Sequence, residues 1–454
     1  MRHAYFVTNF ATSTLLVAMI VLCVIVILPA TASAYEPTSA LGGFGQTTLQ
    51  QQSGDVVTAV CTDLGKDNSR SSQQEDLFNR CGNMVQNANA LAENGKDTEK
   101  SLGLDGDQLG DAVQTVVTEE IASTRTISNE IGTGQLNSAI GRLSALRSAI
   151  GSGGGASADI APKWGFFVNG HYGTGDRDGT DREDAFDYDR WGFTAGADYR
   201  LSDDLVLGGL VSYSNIDSNF DVTEAVPGGG IEAESWGLGL YSTYYHDNWY
   251  VDGLVAYNQT DYDIDRRILL PLGEDPAPGV EETNRTARSS TNSNDWTLSI
   301  GGGMDFNKAN LTYGPFVRLN YINADMDGYS ETGAIGLNLS VDDQNNESLT
   351  SVLGGRISAA MSQKWGVLVP QARVGWIHEF LNDADTFTAV YTVDPQQTPL
   401  LALSDEPDRD YFTLGVGVSA VLPKGVQAFL DYQTLLGNKY VNDHLFSAGV
   451  RAAF

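Results

Sequence analysis

Basic residues are scarce in this sequence: 27 Lys and Arg face 58 Asp and Glu, a formal net charge of −31. A phosphate backbone is held by clustered Lys and Arg, so nucleic acid is excluded as a partner. Cysteine is nearly absent, at three residues, and no CxxC or Cys/His spacing occurs. Zinc and thioredoxin-type chemistry are therefore unsupported. The five histidines (His3, His171, His246, His378, His444) are scattered, and G-x-S-x-G, G-x-x-x-x-G-K-[ST] and H-E-x-x-H are all missing. The nearest approach to a catalytic pair is His378 beside Glu379, and strand alternation points such neighbours to opposite faces. No catalytic, cofactor-binding or metal-binding residue is expected, and no cofactor. The acidic run Asp176 to Asp184 lacks EF-hand spacing and reads as a solvated loop face, with Ca²⁺ or Mg²⁺ binding as the alternative.

One long apolar run exists, LLVAMIVLCVIVIL from Leu15 to Leu28, behind Arg2 and ahead of Pro29 and ATASA. A charged start, an apolar stretch and an A-x-A site made of Ala32 and Ala34 describe a signal peptide over residues 1–34. Cleavage after Ala34 would leave Tyr35 first; an uncleaved anchor is the alternative. Export then leaves Cys61 and Cys81, an even pair in an oxidising compartment, which reads as a structural disulfide.

Residues 35–132 read as a helical N-terminal domain. Val57, Val60, Cys61 and Leu64 recur at the helical period, as do Leu77, Cys81, Met84, Val85 and Ala88. Ser72 and Glu75 suggest a capping box, and Leu109, Val113, Val116, Val117 and Ile121 suggest a third helix. Residues 133–163 form a linker containing one more helix, whose seam is Leu136, Ile140, Leu143, Leu146 and Ile150, with Arg142 and Arg147 beside it. That seam fits a bundle face or a helix inside a pore. GSGGGASAD follows as a flexible stretch.

After Lys163 the period becomes two. In WGFTAGADYR, Trp191, Phe193, Ala195, Ala197 and Tyr199 alternate with small or polar residues, and WTLSIGGGMDF and FTLGVGVSAV repeat the pattern. Twelve such segments lie near 164–173, 187–200, 205–216, 231–246, 249–264, 289–306, 310–326, 348–361, 364–381, 409–422, 425–436 and 443–454. Short turns (LSDD, HDN, NKAN, SQK, PK) alternate with longer acidic loops. An even strand number with loops sorted by length describes an outer-membrane barrel. In hydrocarbon every backbone N–H and C=O must be paired, so strands span only as a closed barrel. The fold class expected is mainly β, a twelve-stranded antiparallel transmembrane β-barrel over 164–454 preceded by a small α-helical region. Its lumen would receive Asp198, Asp252, Asp305 and Asp431 with Arg318, Arg356 and Arg373. Trp164, Trp249 and Trp365, and Trp191 and Trp236, fit two interfacial girdles, while Trp296 falls mid-strand and does not.

Three stretches carry a family likeness. WGFFVNGHYGTGDRD with FDYDRWGFTAGADYRLSDDLVLGGLVSYS, then IGLNLSVDDQNNESLTSVLGGRIS with VLVPQARVGWIHEF, and the ending DHLFSAGVRAAF together resemble the translocator domain of bacterial autotransporters. The ending, with Phe446, Val450 and Phe454, is similar to the signal read by the outer-membrane assembly machinery. The resemblance implies a helix threading the pore toward the first strand, here Leu136, Ile140, Arg142, Leu143, Leu146 and Arg147, with Asp252 and Asp431 expected to solvate the two arginines. The region before the barrel is short and helical, unlike the long β-solenoid usual in passengers.

The function expected is an outer-membrane translocator that anchors and exposes a short helical N-terminal domain at the surface of a Gram-negative cell. Its partners would be outer-membrane lipid and the assembly machinery, the barrel acting as a monomer, with no surface ligand named by the sequence. The alternative is a non-secretory surface barrel, adhesin-like or porin-like, with periplasmic helices.

Overall fold

The computed structural model describes residues 35–92, 97–117, 120–151, 163–223 and 226–453. The signal segment, its cleavage site, the Gly/Ser stretch after Gly151 and Phe454 lie outside the described residues. Four helices come first: α1 (Thr48–Lys66), α2 (Ser72–Leu91), α3 (Gly106–Gln114) and α4 (Ser123–Gly151). The first three start in capping boxes at Thr47/Gln50, Ser71/Gln74 and Asp105/Gln108, each cap contributing about 1 kcal/mol. The box expected at Ser72 and Glu75 is thus one residue earlier; two overlapping S-x-x-[EQ] patterns fit there, and Glu75 instead accepts from Arg70 at 2.7 Å. Cys61 and Cys81 form the disulfide, Cα atoms 5.6 Å apart, stapling α1 to α2 beside Val57, Val60, Leu77 and Met84.

Twelve long strands follow: β1 (Trp164–Arg177), β2 (Phe186–Arg200), β3 (Leu205–Phe220), β4 (Gly229–His246), β5 (Trp249–Leu270) and β6 (Thr283–Met304). The rest are β7 (Leu311–Met326), β8 (Gln344–Ala359), β9 (Gly366–Glu379), β10 (Asp410–Val421), β11 (Val426–Leu436) and β12 (Val441–Ala453). Each pairs antiparallel with its neighbours, and β12 returns to β1 from Val441 opposite Arg177 to Ala453 opposite Gly165, closing the barrel. The two longest loops contribute a separate four-stranded sheet of Tyr329–Ser330, Leu339–Val341, Thr386–Tyr391 and Leu400–Leu403 at the long-loop end.

Along β2 to β7 the alternation changes sense. In the half nearer the short turns the outward residues are apolar and exposed, among them Phe193, Leu238, Leu240, Val255, Ile300, Leu319, Leu430 and Val450. The inward ones there include Thr194, Asp198, Thr243 and Asp252, all buried. Beyond Trp191, Trp236 and Trp296 the outward residues become Asp187, Asp189, Asp217, Glu232, Glu234, Asp261, Asp263 and Asp265. The inward ones become Phe186, Tyr188, Ile216, Phe220, Ile231, Tyr262, Ile264 and Ile268, buried in one cluster. Outside-apolar, inside-polar is what lipid and a wet lumen demand; the inverse is what water outside and a packed core demand. The inversion therefore marks where the strands leave the membrane.

It also corrects the reading of Trp296. Trp296 faces outward, opposite Tyr257 and in ring contact with it at 5.2 Å, at the height of the long-loop girdle. It is mid-strand because β6 continues past the membrane to Thr283.

Candidate functional site: the lumen and its cap

Helix α4 runs inside the barrel. It begins at Ser123, earlier than the apolar seam indicates, because a helix walled on all sides needs no single apolar stripe. Of the seam, Leu136 and Leu143 pack with Phe167, Leu210, Tyr241, Leu254 and Ala256 of the wall, Ile140 lies against that cluster, and Leu146 is buried. The wall makes room with glycine: a Cβ on Gly237 would lie 1.9 Å from Asn258 Oδ1 and 2.6 Å from Gln135 Nε2.

Most lumenal charges are paired, although Arg318 on β7 and Arg451 on β12 form no ion pair among the described residues. Arg142 donates to both carboxylate oxygens of Asp198 (2.6 and 2.9 Å), and Arg147 donates to Asp252 (2.5 and 2.7 Å). Asp431, expected beside the helix, instead accepts two bonds from Arg373 on β9 (2.8 and 2.6 Å), and Asp305 accepts from Arg356 on β8. Asp431 lies on β11, near enough to Arg373 across β10 to be satisfied within the wall. Higher up, Gln135 donates to Ser212 at 2.8 Å, Ser128 bonds the Tyr262 hydroxyl at 3.0 Å, and Arg190 joins Glu130 of α4 to Asp443 of β12.

Above the membrane, α1 to α3 and the loop sheet close the mouth as one apolar cluster with the inward faces of β2 to β7. Polar contacts fix the cap. Arg285 donates to both oxygens of Asp76 on α2 (2.6 and 2.8 Å), and Tyr391 donates to the Val116 carbonyl at 3.1 Å. Arg266, 1% exposed, donates to both oxygens of Glu331 (2.8 and 2.6 Å) and to the Thr115 and Leu337 carbonyls. At the start of α4, Arg125 reaches Asp385 and the Glu347 and Leu381 carbonyls. Glu120, buried in the turn ahead of α4, has its carboxyl pushed up to about 8 by burial, against the pull of Arg266. Burial alone would also raise Asp76, but the hydrogen bond and charge of Arg285 hold its carboxyl below the usual range.

No cluster of His, Cys, Asp and Glu suited to a metal ion occurs among the described residues. In the acidic loop, Arg177 meets Glu183 and Asp405 (2.9 and 2.7 Å), so that loop is knit by ion pairs. His378 bonds Asp410 at 2.8 Å, whereas Glu379 points inward to Ser348. Phe446 and Val450 face outward from β12, half exposed. Sequence reasoning missed Arg125 on α4, Arg266 on β5 and Arg285 on β6; for the two strand residues the inverted alternation was the available signal.

The autotransporter beta-domain model matches residues 166–433. The chain belongs to the autotransporter family. Its barrel is a translocator domain, and it resides in the outer membrane. Outer membrane protein A of Rickettsia rickettsii is 24% identical over 345 residues, 73% of this chain and 15% of that protein. Lipase 1 of Photorhabdus luminescens is 25% identical over 263 residues, 58% of this chain and 38% of the lipase. The chain thus spans well under half the length of these curated relatives. The translocator domain of autotransporter NalP from Neisseria meningitidis superposes with a TM-score of 0.52 at 15% identity, covering 73% of this chain and 99% of that one. That likeness bears on the fold.

Proposed function

We propose that this autotransporter carries its own short passenger, the disulfide-stapled cap of α1 to α3, and displays it at the cell surface docked on its barrel. One observation carries the reading. The cap sits on the long-loop mouth, and α4 leads from it through the lumen toward the short-turn end, where β1 begins. Long loops of outer-membrane barrels face the outside, so a cap on that mouth, tied to a helix in the lumen, has the path of a chain exported through its barrel. Periplasmic helices would have to lie at the other mouth.

The reading assigns no catalysis to this chain. The relatives named lipase and esterase are longer proteins, and the cap has no nucleophile elbow. Its partners are lipid along the outward belt and the assembly machinery, for which Phe446, Val450 and Phe454 are the recognition surface. The test is an epitope tag after Glu36, probed with antibody on intact cells. Labelling without rupture of the outer membrane is expected; labelling only after rupture would overturn surface display.

A further inference from the structure

The lumen is unevenly filled. In the membrane zone α4 bonds side chains of β2, β3 and β5 and, from Ser144 to Arg356, of β8; its own ion pairs are dry, with Arg142 and Asp198 5% and 4% exposed and Arg147 and Asp252 5% and 3%. On the opposite wall the inward pair is wet: Arg373 is 30% exposed and Asp431 15%. The inward neighbours Gln371, Gly417, Ser419, Gln427, Phe429 and Gln433 are also only half-buried. These residues line the short-turn half of β9 to β11. Toward the long loops this side closes: Glu379 of β9 and Asp443 and Leu445 of β12 are buried, under Arg125 with Asp385 and Arg190 with Glu130.

We infer that the cap, and not the pore helix, is the barrier to solutes, so that the protein is a closed channel with a polar vestibule running beside α4 and a gate at its long-loop mouth. Three features on different elements converge on this. The helix lies against β1 to β8 and leaves the β9 to β11 wall hydrated. The vestibule lining is amphoteric, Arg373/Asp431 with Gln371, Gln427 and Gln433 around them, a surface that stabilises water and small hydrophilic solutes of either charge. The seal above it is an apolar cluster crossed by the buried Arg266–Glu331 pair, the kind of packing that excludes water. Opening the cap would thus open a conducting path with α4 still in place, whichever way the barrel faces.

Two measurements on the full chain test this, neither depending on orientation. In detergent, with the disulfide intact, Gln371→Cys in the vestibule should react with a small cationic methanethiosulfonate at least an order of magnitude faster than Thr243→Cys, which is buried against the helix side at a similar depth. Equal, slow reaction at both positions would mean the lumen is filled and would overturn the vestibule. In planar bilayers the native chain should be closed. The isosteric pair Arg266→Gln with Glu331→Gln, verified as folded by its heat-modifiable migration, should conduct in steps, and adding Gln371→Cys should let the reagent reduce that current. Arg142→Gln with Arg147→Gln, which loosens only the helix, should stay closed. Conduction from the helix pair, with none from the cap pair, would place the barrier at α4. The surface tag reports orientation separately, so a failure of display and a failure of gating give different patterns.

Discussion

The two halves of each strand from β2 to β7 obey opposite rules. Near the short turns of β4, Leu238 and Leu240 face out while Gly237, Tyr241 and Thr243 face in; farther along the same strand, Glu232 and Glu234 face out while Ile231 and Ala233 face in. The backbone geometry does not change between them, since the ladder with β5 runs unbroken from His246 opposite Trp249 to Gly229 opposite Arg266. What changes is the solvent on each side. Strand alternation reports a difference in polarity between two faces, and its sign reports which face is wetter.

The sharpest way to break this comparison is one charge on the packed side of the upper half. Ile264 is 3% exposed, inside β5 and in the cluster with the cap. Ile264→Asp should bury a carboxylate with no partner and cost about 3–5 kcal/mol, releasing α1 to α3 to protease while the membrane-embedded strands keep their heat-modifiable migration. If the cap stays protected in that variant, the upper lumen is wet and the inversion does not mark a core.

A second pair of substitutions sharpens the position of the membrane boundary. Leu240, outward and 71% exposed, lies midway along the apolar belt; Leu240→Arg should cost about 2–4 kcal/mol in barrel stability, the penalty for a guanidinium at the bilayer midplane. Asp263→Arg, outward on the upper half of β5, should change stability by no more than about 0.5 kcal/mol. Urea titrations in phospholipid vesicles would compare them, and equal penalties at the two positions would remove the boundary drawn at Trp191, Trp236 and Trp296.

The same contrast explains what was legible in the sequence. The lower halves were readable because lipid imposes apolar residues on one face, and all twelve strands lie where that alternation was found. The alternation expected for β5 and β6 stops near 264 and 289, since Leu269 to Asn284 carries acidic residues and three prolines, although pairing continues to Leu270 opposite Thr283. Alternation with an acidic outer face, as in Asp261, Asp263 and Asp265 around Tyr262 and Ile264, is equally strand-like once water is allowed outside. Helix α4 shows the converse. Its seam at Leu136, Ile140 and Leu143 was visible, but Ser123 to Gln135 lacks an apolar stripe because the barrel surrounds it. Pairing of lumenal charges was half legible: Asp252 meets Arg147, while Arg142 takes Asp198 and Asp431 takes Arg373. Sequence places those groups on the inward face without giving the rotation of the helix within the ring.

The smallest effect expected is the most specific to the cap. Asp76 on α2 is bound by Arg285 of β6 and by the Gly336 amide at 3.1 Å, so it joins cap to barrel directly. Its carboxyl is held below the ordinary range because Arg285 outweighs the effect of burial. A depressed folded-state pKa adds stability that is present above the unfolded value, near 4, and is lost as pH falls through the folded one. Glu120 has the opposite sign: its carboxyl is raised to about 8, so cap docking weakens as pH climbs from about 4.5 toward 8. Docking should therefore be tightest in mildly acidic solution and loosen on both sides, with Asp76 contributing to the acid limb and Glu120 to the alkaline one. Asp76→Asn should lower cap stability by about 1–2 kcal/mol at pH 6, and the difference from the native chain should shrink below pH 4, where the native carboxyl also takes up its proton. Glu120→Gln should flatten only the alkaline limb. Protease resistance of α1 and α2 across that pH range measures both, and an acid limb that survives Asp76→Asn would detach the latch from this ion pair.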